Sequence, residues 1–549
     1  MGRLEPDGMI SDGQRCCMGA PELASMDPMA GISALEASGQ WHQALALLRH
    51  ELQRGVITPD AAVLHRLGRL LQRLDRLTPA RQAYLLALRL EAGRPSTCNN
   101  LALLELALLN GAAAESWVLR GLALPRLSSD EADLLRATAC DVYLFLLRPL
   151  QALAFVEQQL EHQVSVMALA NRAICCHKLG RLEQALQSQQ QALALQLQQQ
   201  ATQLLATPPL ALVAQPLGEL EQTLQLQLQL MNLGFYRLLL NPDDSEGQQL
   251  LLAALAADAE YWLEPQRGGT LWRGQPVSDL ILWDDQGFGD SIQNLSWLPQ
   301  AAALAKRLRL WLRPPLLALV RERMPLPANV SLEAMGAAQP WHAGPQQLGL
   351  FYLPLVLKAL PSRQGPARSA WLRRTQCLGS LPRRRLGLVW SAGRHRAPRP
   401  ERSARVRDVP FEQLWPHAQS WARQHGLALI SLQLDGHEQP VVARQIEAGL
   451  LQLGLSSPDW LATARVLEDL DLLVTVDTSV AHLAGALGVP CVVLLSFPAD
   501  WRWGQSGETT SLYESFRLAR CDSLDDWASA LCKADQHVDA LCSSHSTAG

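Results

Sequence analysis

The stretch that most constrains this chain runs from Leu470 to Leu495: Leu-Asp-Leu-Leu-Val-Thr-Val-Asp477-Thr478-Ser479-Val-Ala-His482-Leu-Ala-Gly-Ala-Leu-Gly488-Val-Pro490-Cys-Val-Val-Leu-Leu. Leu472 to Val476 is a short, partly β-branched apolar run, suited to a buried parallel strand. Asp477, Thr478 and Ser479 are N-cap residue types directly before a helical pattern. Gly488 predicts the C-cap of that helix, and Pro490 prevents its continuation. Cys491 to Leu495 is the next buried strand. Strand, turn, helix, strand in this order demands an α/β fold. It also places free N–H donors at a helix N-terminus beside the C-terminal edge of a parallel sheet, where anionic ligands bind. His482 lies one turn into the helix and can face the same crevice. Two readings of these residues stand together: Asp477 and Thr478 only cap a helix and His482 is a satisfied core histidine, or they line a ligand site.

One such unit is a small part of a 549-residue chain, whose length predicts three to four domains. Composition excludes several classes. The hydrophobic fraction of 48% is that of a globular chain, and the net charge of -4 supplies no basic stripe for nucleic acid. The eleven cysteines show no metal-ligand spacing and fit reduced thiols. No run of 18 apolar residues spans a membrane, and residues 1–30 lack the pattern of a signal peptide. They are expected to be a disordered leader, and the location cytoplasmic.

From about Ile32 to Leu252 the chain is rich in Leu, Ala and Gln, with strand signals nearly absent. One unit recurs: Arg172-Ala173, Cys176, Gly180-Arg-Leu-Glu-Gln-Ala185, Gln189 and Ala192; then Leu67-Gly68, Leu71, Ala80, Tyr84 and Ala87 with Pro95 following. Gly39 to Ala44 carries the turn of an earlier unit, and Leu101-Ala102 with Ala114 a degenerate later one. The small residues let two helices of a pair approach closely. This segment, assigned to residues 31–255, resembles the tetratricopeptide repeat family, whose stacks hold partner segments on a concave face. The array either binds a partner or only supports the second half. The Gln-biased stretch 187–207 predicts a long polar-faced helix.

After about Pro265 the pattern changes. Val277–Trp283 is a predicted strand, and Asp284-Asp285-Gln286-Gly287-Phe288-Gly289-Asp290 a Gly-rich turn. A helix from Ser291 continues to Arg307, and Leu308–Leu312 is a second strand. Gly287 and Gly289 permit positive φ and close ligand approach. Asp290 at the N-cap is either a cap or a carboxylate aimed into a cleft. A second set follows the basic linker Arg373–Arg385. It has strands Leu386–Trp390 and Leu427–Gln433, helices Phe411–Gln424 and Trp460–Asp469, a small-residue turn Ser391-Ala-Gly393, and then the opening stretch. Residues 265–375 and 383–535 thus predict two Rossmann-like halves with a ligand cleft between them, and 536–549 a tail.

Trp272-Arg-Gly274, Asp285 to Gln293, Leu388 to Gly393, Arg407-Asp-Val-Pro410, Ser431-Leu-Gln433, Val476 to Pro490, Asp500-Trp501-Arg502-Trp503 and Tyr513 to Leu518 follow one another in the order of tetratricopeptide-repeat glycosyltransferases. The second half resembles glycosyltransferase family nine, the heptosyltransferase-like group. The resemblance implies a repeat solenoid followed by a GT-B domain. It also implies inverting transfer from a nucleotide-sugar co-substrate to a protein or glycan acceptor, with no bound metal or other cofactor. It implies Asp290 as the base, and Ser391, Gly393, Arg407, Gln433, Asp477, Thr478, Ser479 and His482 as donor-binding residues. Two departures stand out: Asp285 replaces the family's usual Glu, and the loop 394–407 holds six arginines. That loop either clamps phosphate or is solvated. A non-catalytic repeat scaffold with a degenerate GT-B domain is the alternative; a GT-B epimerase lacks motif support.

Overall fold

The computed structural model of the protein describes residues 27–206, 216–241, 244–256, 270–336, 346–358, 370–374, 384–392, 407–434, 440–447, 450–452 and 459–546. The chain divides into two compact units, 1–146 and 147–549.

The first unit is helical throughout its described residues: α1 (Pro28–Ala37), α2 (Trp41–Gln53), α3 (Ala61–Arg73), α4 (Leu77–Leu90), α5 (Pro95–Ala107), α6 (Gly111–Leu122) and α7 (Ser129–Phe145). α1 begins inside the span expected to be a leader, because Pro28 pre-sets a helical φ at its first position and Ile32 and Leu35 bury themselves in the array. The close approach expected at the small residues is present: a Cβ on Gly68 would sit 2.5 Å from the Tyr84 ring. Ala80, Tyr84 and Ala102 are fully buried. The buried His65 Nδ1 and Thr97 Oγ1 pair at 2.9 Å.

The second unit opens with α8 (Pro149–His162), α9 (Val166–Lys178), α10 (Leu182–Ala206), α11 (Pro216–Leu240) and α12 (Ser245–Ala256). α10 is the long helix expected from the Gln-rich stretch, but its glutamines are not all solvated. Gln189 and Gln196 are buried, and the Gln189 amide donates to Gln229 of α11. Across the array a residue with left-handed backbone ends the first helix of a pair at Gly39, Asp75, Leu109, Leu147 and Gly180, roughly every 34 residues.

The rest of the second unit holds two parallel sheets. The first contains β1 (Thr270–Leu271), β2 (Val277–Trp283), β3 (Ala305–Leu312), β4 (Val330–Ala334) and β5 (Gln346–Gly349) in the order β1-β5-β2-β3-β4. Its helices are α13 (Phe288–Asn294), α14 (Leu298–Ala302), α15 (Pro314–Arg323) and α16 (Leu353–Lys358). The helix expected to reach Arg307 instead stops at Ala302, and Ala305–Arg307 joins β3. Ala305 and Arg307 pair with Val277 and Asp279 of β2, which draws this stretch into the strand, with Lys306 and Arg307 exposed and Leu308 buried.

The second sheet contains β6 (Arg384–Val389), β7 (Leu427–Ser431), β8 (Leu451–Gln452), β9 (Leu472–Val476), β10 (Cys491–Leu495) and β11 (Phe516–Arg520), ordered β11-β10-β9-β6-β7-β8. α17 (Phe411–His425), α18 (Pro440–Glu447), α19 (Trp460–Glu468), α20 (Ser479–Leu487) and α21 (Trp527–Ser546) accompany it. β9 and β10 are buried on both faces, as their unbroken apolar runs require. The span expected to be a tail after residue 535 is instead the continuation of α21. Val538 and Cys542 are buried in the core, and His425 Nε2 meets Asp539 Oδ1 at 2.8 Å. The apolar period simply carries on past the expected end.

The two halves share one apolar core, which runs from β2 and β3 through α19 and α20 to β10. A buried ion pair between Arg323 and Glu468, 3.3 Å apart, also joins them. Each half is a Rossmann-like layer, and together they form a GT-B-like module after helical repeats.

Candidate active site

The site is built where α13 of the first half meets the N-terminus of α20 of the second. Gly289 makes this contact possible: a Cβ there would lie 2.9 Å from the His482 ring and 3.2 Å from the Ser479 Cα. Neither Gly287 nor Gly289 has the positive φ that the sequence allowed. Their smallness serves helix packing and the turn. Gly287 is the N-cap of α13, and Asp290 stands at N3, not at the N-cap; its Oδ2 accepts from the Gly287 N–H at 3.1 Å.

The other oxygen of Asp290 accepts a short hydrogen bond from Arg502, which is thereby ion-paired across the two halves. Arg502 also donates to Asp500 at 2.8 Å and lies 5.3 Å from the Phe351 ring centroid and 5.0 Å from that of Trp501. Burial pulls its pKa down, but the carboxylates of Asp500, Asp290 and Asp477 outweigh this and hold it above its ordinary value. The sequence displayed Asp500-Trp501-Arg502-Trp503 as a run without assigning it a role; the half-buried cation at its centre ties Asp290 of the first half to Asp500 of the second.

Three turn carboxylates serve different ends. Asp284 is fully enclosed and held by Arg313, with Nε to Oδ2 at 2.6 Å. Asp285 accepts from the Phe351 N–H at 3.1 Å through one oxygen, while its other oxygen is buried without a partner. Gly349 is required beside it, since a Cβ there would overlap the carboxyl. Burial, with the like charges of Asp284 and Asp290, raises its pKa to about 7 against the Phe351 hydrogen bond.

On the second half, Thr478 is the N-cap of α20 but makes no side-chain cap bond; its hydroxyl pairs with Thr475 at 3.1 Å. The Thr478 carbonyl, not its side chain, accepts from the Ala481 N–H at 3.1 Å. Asp477 is buried at the end of β9, and Arg407 reaches it at 3.4 Å. Burial and the neighbouring Asp500 raise the Asp477 pKa; burial also pushes that of Asp500 up, but the charge and hydrogen bonds of Arg502 together with Arg407 bring it below its ordinary value. His482 is buried, bonded through Nδ1 to the Tyr513 hydroxyl at 2.9 Å and stacked on Trp503 at 5.4 Å. Burial and then Arg502 lower its pKa to about 4, so the imidazole is neutral at physiological pH.

Gln433 takes a supporting place. Its Oε1 accepts from Trp390 N at 3.2 Å and Ser391 N at 3.1 Å, and its Nε2 donates to Ser391 O at 3.1 Å. It holds the Ser391 turn and is spent in doing so. Gly393 and the other arginines of the 394–407 loop lie outside the described residues.

No family model matches the chain, and a search of curated proteins finds no match. Among solved structures it is similar to the E. coli ADP-heptose LPS heptosyltransferase II, at 15% identity and a TM-score of 0.35, covering 49% of this chain and 99% of that one. It is also similar to Pseudomonas aeruginosa pilF, at 16% identity and a TM-score of 0.29, covering 41% and 96%. A thermophilic TPR protein of Thermus thermophilus follows at 20% identity and a TM-score of 0.26, covering 30% and 89%. Each likeness spans only part of the chain. The assignment of repeats followed by a two-halved α/β module stands on the helix pairs and the strand order.

Proposed function

We propose that the protein is an inverting, metal-independent glycosyltransferase using a nucleotide-sugar donor. The observation that carries this reading is the meeting of Asp290 and α13, from the first half, with Arg502 and the N-terminus of α20, beside Asp477, from the second. An acceptor hydroxyl attacks the anomeric carbon and its proton passes to the Asp290 carboxylate. The bond from that carbon to the diphosphate oxygen breaks, and its electron pair leaves on the nucleoside diphosphate. Arg407, Arg502 and the α20 N–H groups meet the charge that develops. Arg502 is paired with Asp290; a diphosphate that draws on Arg502 leaves the Asp290 carboxylate free to meet the acceptor hydroxyl.

The test is a thermal-shift screen against UDP-, GDP-, ADP- and CMP-linked sugars, followed by turnover with the donor that binds. At 100 times its dissociation constant a donor adds about 2.7 kcal/mol of stability. Asp477→Ala is expected to lose the shift. Asp290→Asn is expected to keep it and to lose turnover by roughly 100- to 10,000-fold. Full turnover in Asp290→Asn would remove it from the role of base.

A second reading, a protein-binding scaffold, has its own support in the repeats. A groove of about 530 Å³ is lined by Glu157, Val164, Leu169, Arg172 and Leu195, and Val164 is 61% exposed. Capture of a peptide by the chain with no donor binding would favour it. A peptide acceptor held there would join the two readings.

A further inference from the structure

Arg502 lies between two aromatic rings that belong to different halves. Its guanidinium carbon is 5.0 Å from the ring centroid of Trp501, its neighbour in the second half, and 5.3 Å from that of Phe351, in the first. Neither ring stands alone. Trp501 meets Phe235 of α11, with the ring centroids 6.3 Å apart. Phe351 meets the Tyr352 ring edge-on at 5.0 Å. Tyr352, Trp501 and Phe235 all pack against one apolar cluster, in which Leu238 of α11, Leu251 of α12 and Leu355 of α16 are buried. Both flanks of the cation thus rest on one helical hairpin. Its first helix, α11, touches the short helical turn Trp501–Trp503 of the second half, while α12 touches α16 of the first.

The hairpin is built to be stiff. Gly234 and Gly247 bring its two backbones together: a Cβ on Gly234 would lie 2.9 Å from the Gly247 carbonyl oxygen. Arg237 Nε donates to Asp244 Oδ2 at 2.6 Å, and the same oxygen accepts from the Gly247 N–H at 2.8 Å. A further repeat helix supports the start of the loop that carries Arg502. At Gly180, after α9, φ is +72, and a Cβ there would collide with the Phe497 ring. Asp290 and Asp500 hold the nitrogens of Arg502. Once an anion takes the place of Asp290, the rings and Asp500 are what fix where the cation sits. A misplacement of about 1 Å costs an oriented site up to about 100-fold, so the support behind the rings matters to the charge between them.

We propose that Phe235 is a positioning residue for Arg502, so that the hairpin α11–α12 sets the place of a cation that meets the donor diphosphate. The inference deepens the glycosyltransferase reading and rests on it. It gives the repeat helices of this unit a part in the donor site distinct from holding an acceptor. Phe235 itself touches no substrate; it acts through the Trp501 ring.

The experiment is calorimetric titration of the full chain with UDP, GDP, ADP, CDP and inorganic pyrophosphate, in wild type, Phe235→Ala, Arg502→Lys and the double variant. Phe235→Ala is expected to weaken the diphosphate that binds by about 10-fold. In the Arg502→Lys background the same change is expected to cost less than about two-fold, because the group it acts through has gone. Equal affinity in wild type and Phe235→Ala overturns the inference and leaves the glycosyltransferase reading standing. The same fold-loss in both backgrounds makes Phe235 merely structural and also overturns the inference. Binding of none of these ligands by wild type overturns both. Phe235→Leu keeps an apolar side chain in the cluster and removes the ring. Its cycle is expected to run in the same direction, and it decides the question on the same terms where Phe235→Ala does not fold.

Discussion

Asp284, Asp285 and Asp290 are the same side chain, within seven positions, in three electrostatic situations. Asp284 is neutralised by Arg313, Asp290 by Arg502, and Asp285 by nothing but a backbone N–H. The consequence for Asp285 is a pH dependence. Its carboxyl would ionise near 3.8 in the unfolded chain but holds its proton to about 7 in the fold. Its contribution is therefore full below about pH 4 and is lost as pH rises towards 7, by about 4 kcal/mol in all. Asp285→Asn keeps the acceptor for Phe351 and removes the titration. Its melting temperature relative to wild type should accordingly rise between pH 4 and pH 8; a difference that stays constant over that range would mean an ordinary, solvated carboxylate. None of this was legible in the sequence, where the three aspartates are alike. Asp290, Asp477 and His482 could be picked out because they sit at fixed places in strand–turn–helix patterns. Arg502 could not be, because its role depends on carboxylates arriving from both halves.

At the scale of elements, local pattern did most of the work. β9, α20 and β10 lie where the apolar runs, Gly488 and Pro490 place them. Gly488 adopts φ +69 as the C-cap requires. The misplaced boundaries share a physical cause. The helix after Ser291 ends at Ala302 because Ala305 and Arg307 pair with β2, and the expected tail is helix because its buried face packs under the second sheet. Both outcomes depend on residues distant in sequence. The crossing of α13 and α20 is the contact on which the site depends, and Gly289→Ala tests it. The added methyl meets the Ser479 backbone at 3.2 Å as well as His482, so the helices must separate. A loss of about 1–3 kcal/mol is expected, with weaker donor binding in calorimetry. Unchanged stability and affinity would show that the two helices can part without consequence.

The whole molecule consists of a repeat unit and a second unit in which further repeat helices are fused to the α/β module. A protein of residues 147–549 is expected to melt cooperatively and to bind donor as the full chain does. One of residues 257–549 uncovers Tyr352, Leu355 and Trp501, which pack against Phe235, Leu238 and Leu251. It should be less stable and bind donor at least about ten-fold more weakly. Equal binding by both would place the donor site wholly within the α/β module. Among the described residues no helix is long and apolar enough to cross a membrane. The sequence by itself determined the class of each half and the order of the main elements. Periodicity, small residues at helix contacts, and Gly and Pro at ends are local properties, carried within a few turns of chain. Only the tertiary structure decided which charges are paired, which carboxyl keeps its proton, and which repeat helix reaches the cleft. Those outcomes are set by burial and by charges brought together across hundreds of residues, and no local window contains them.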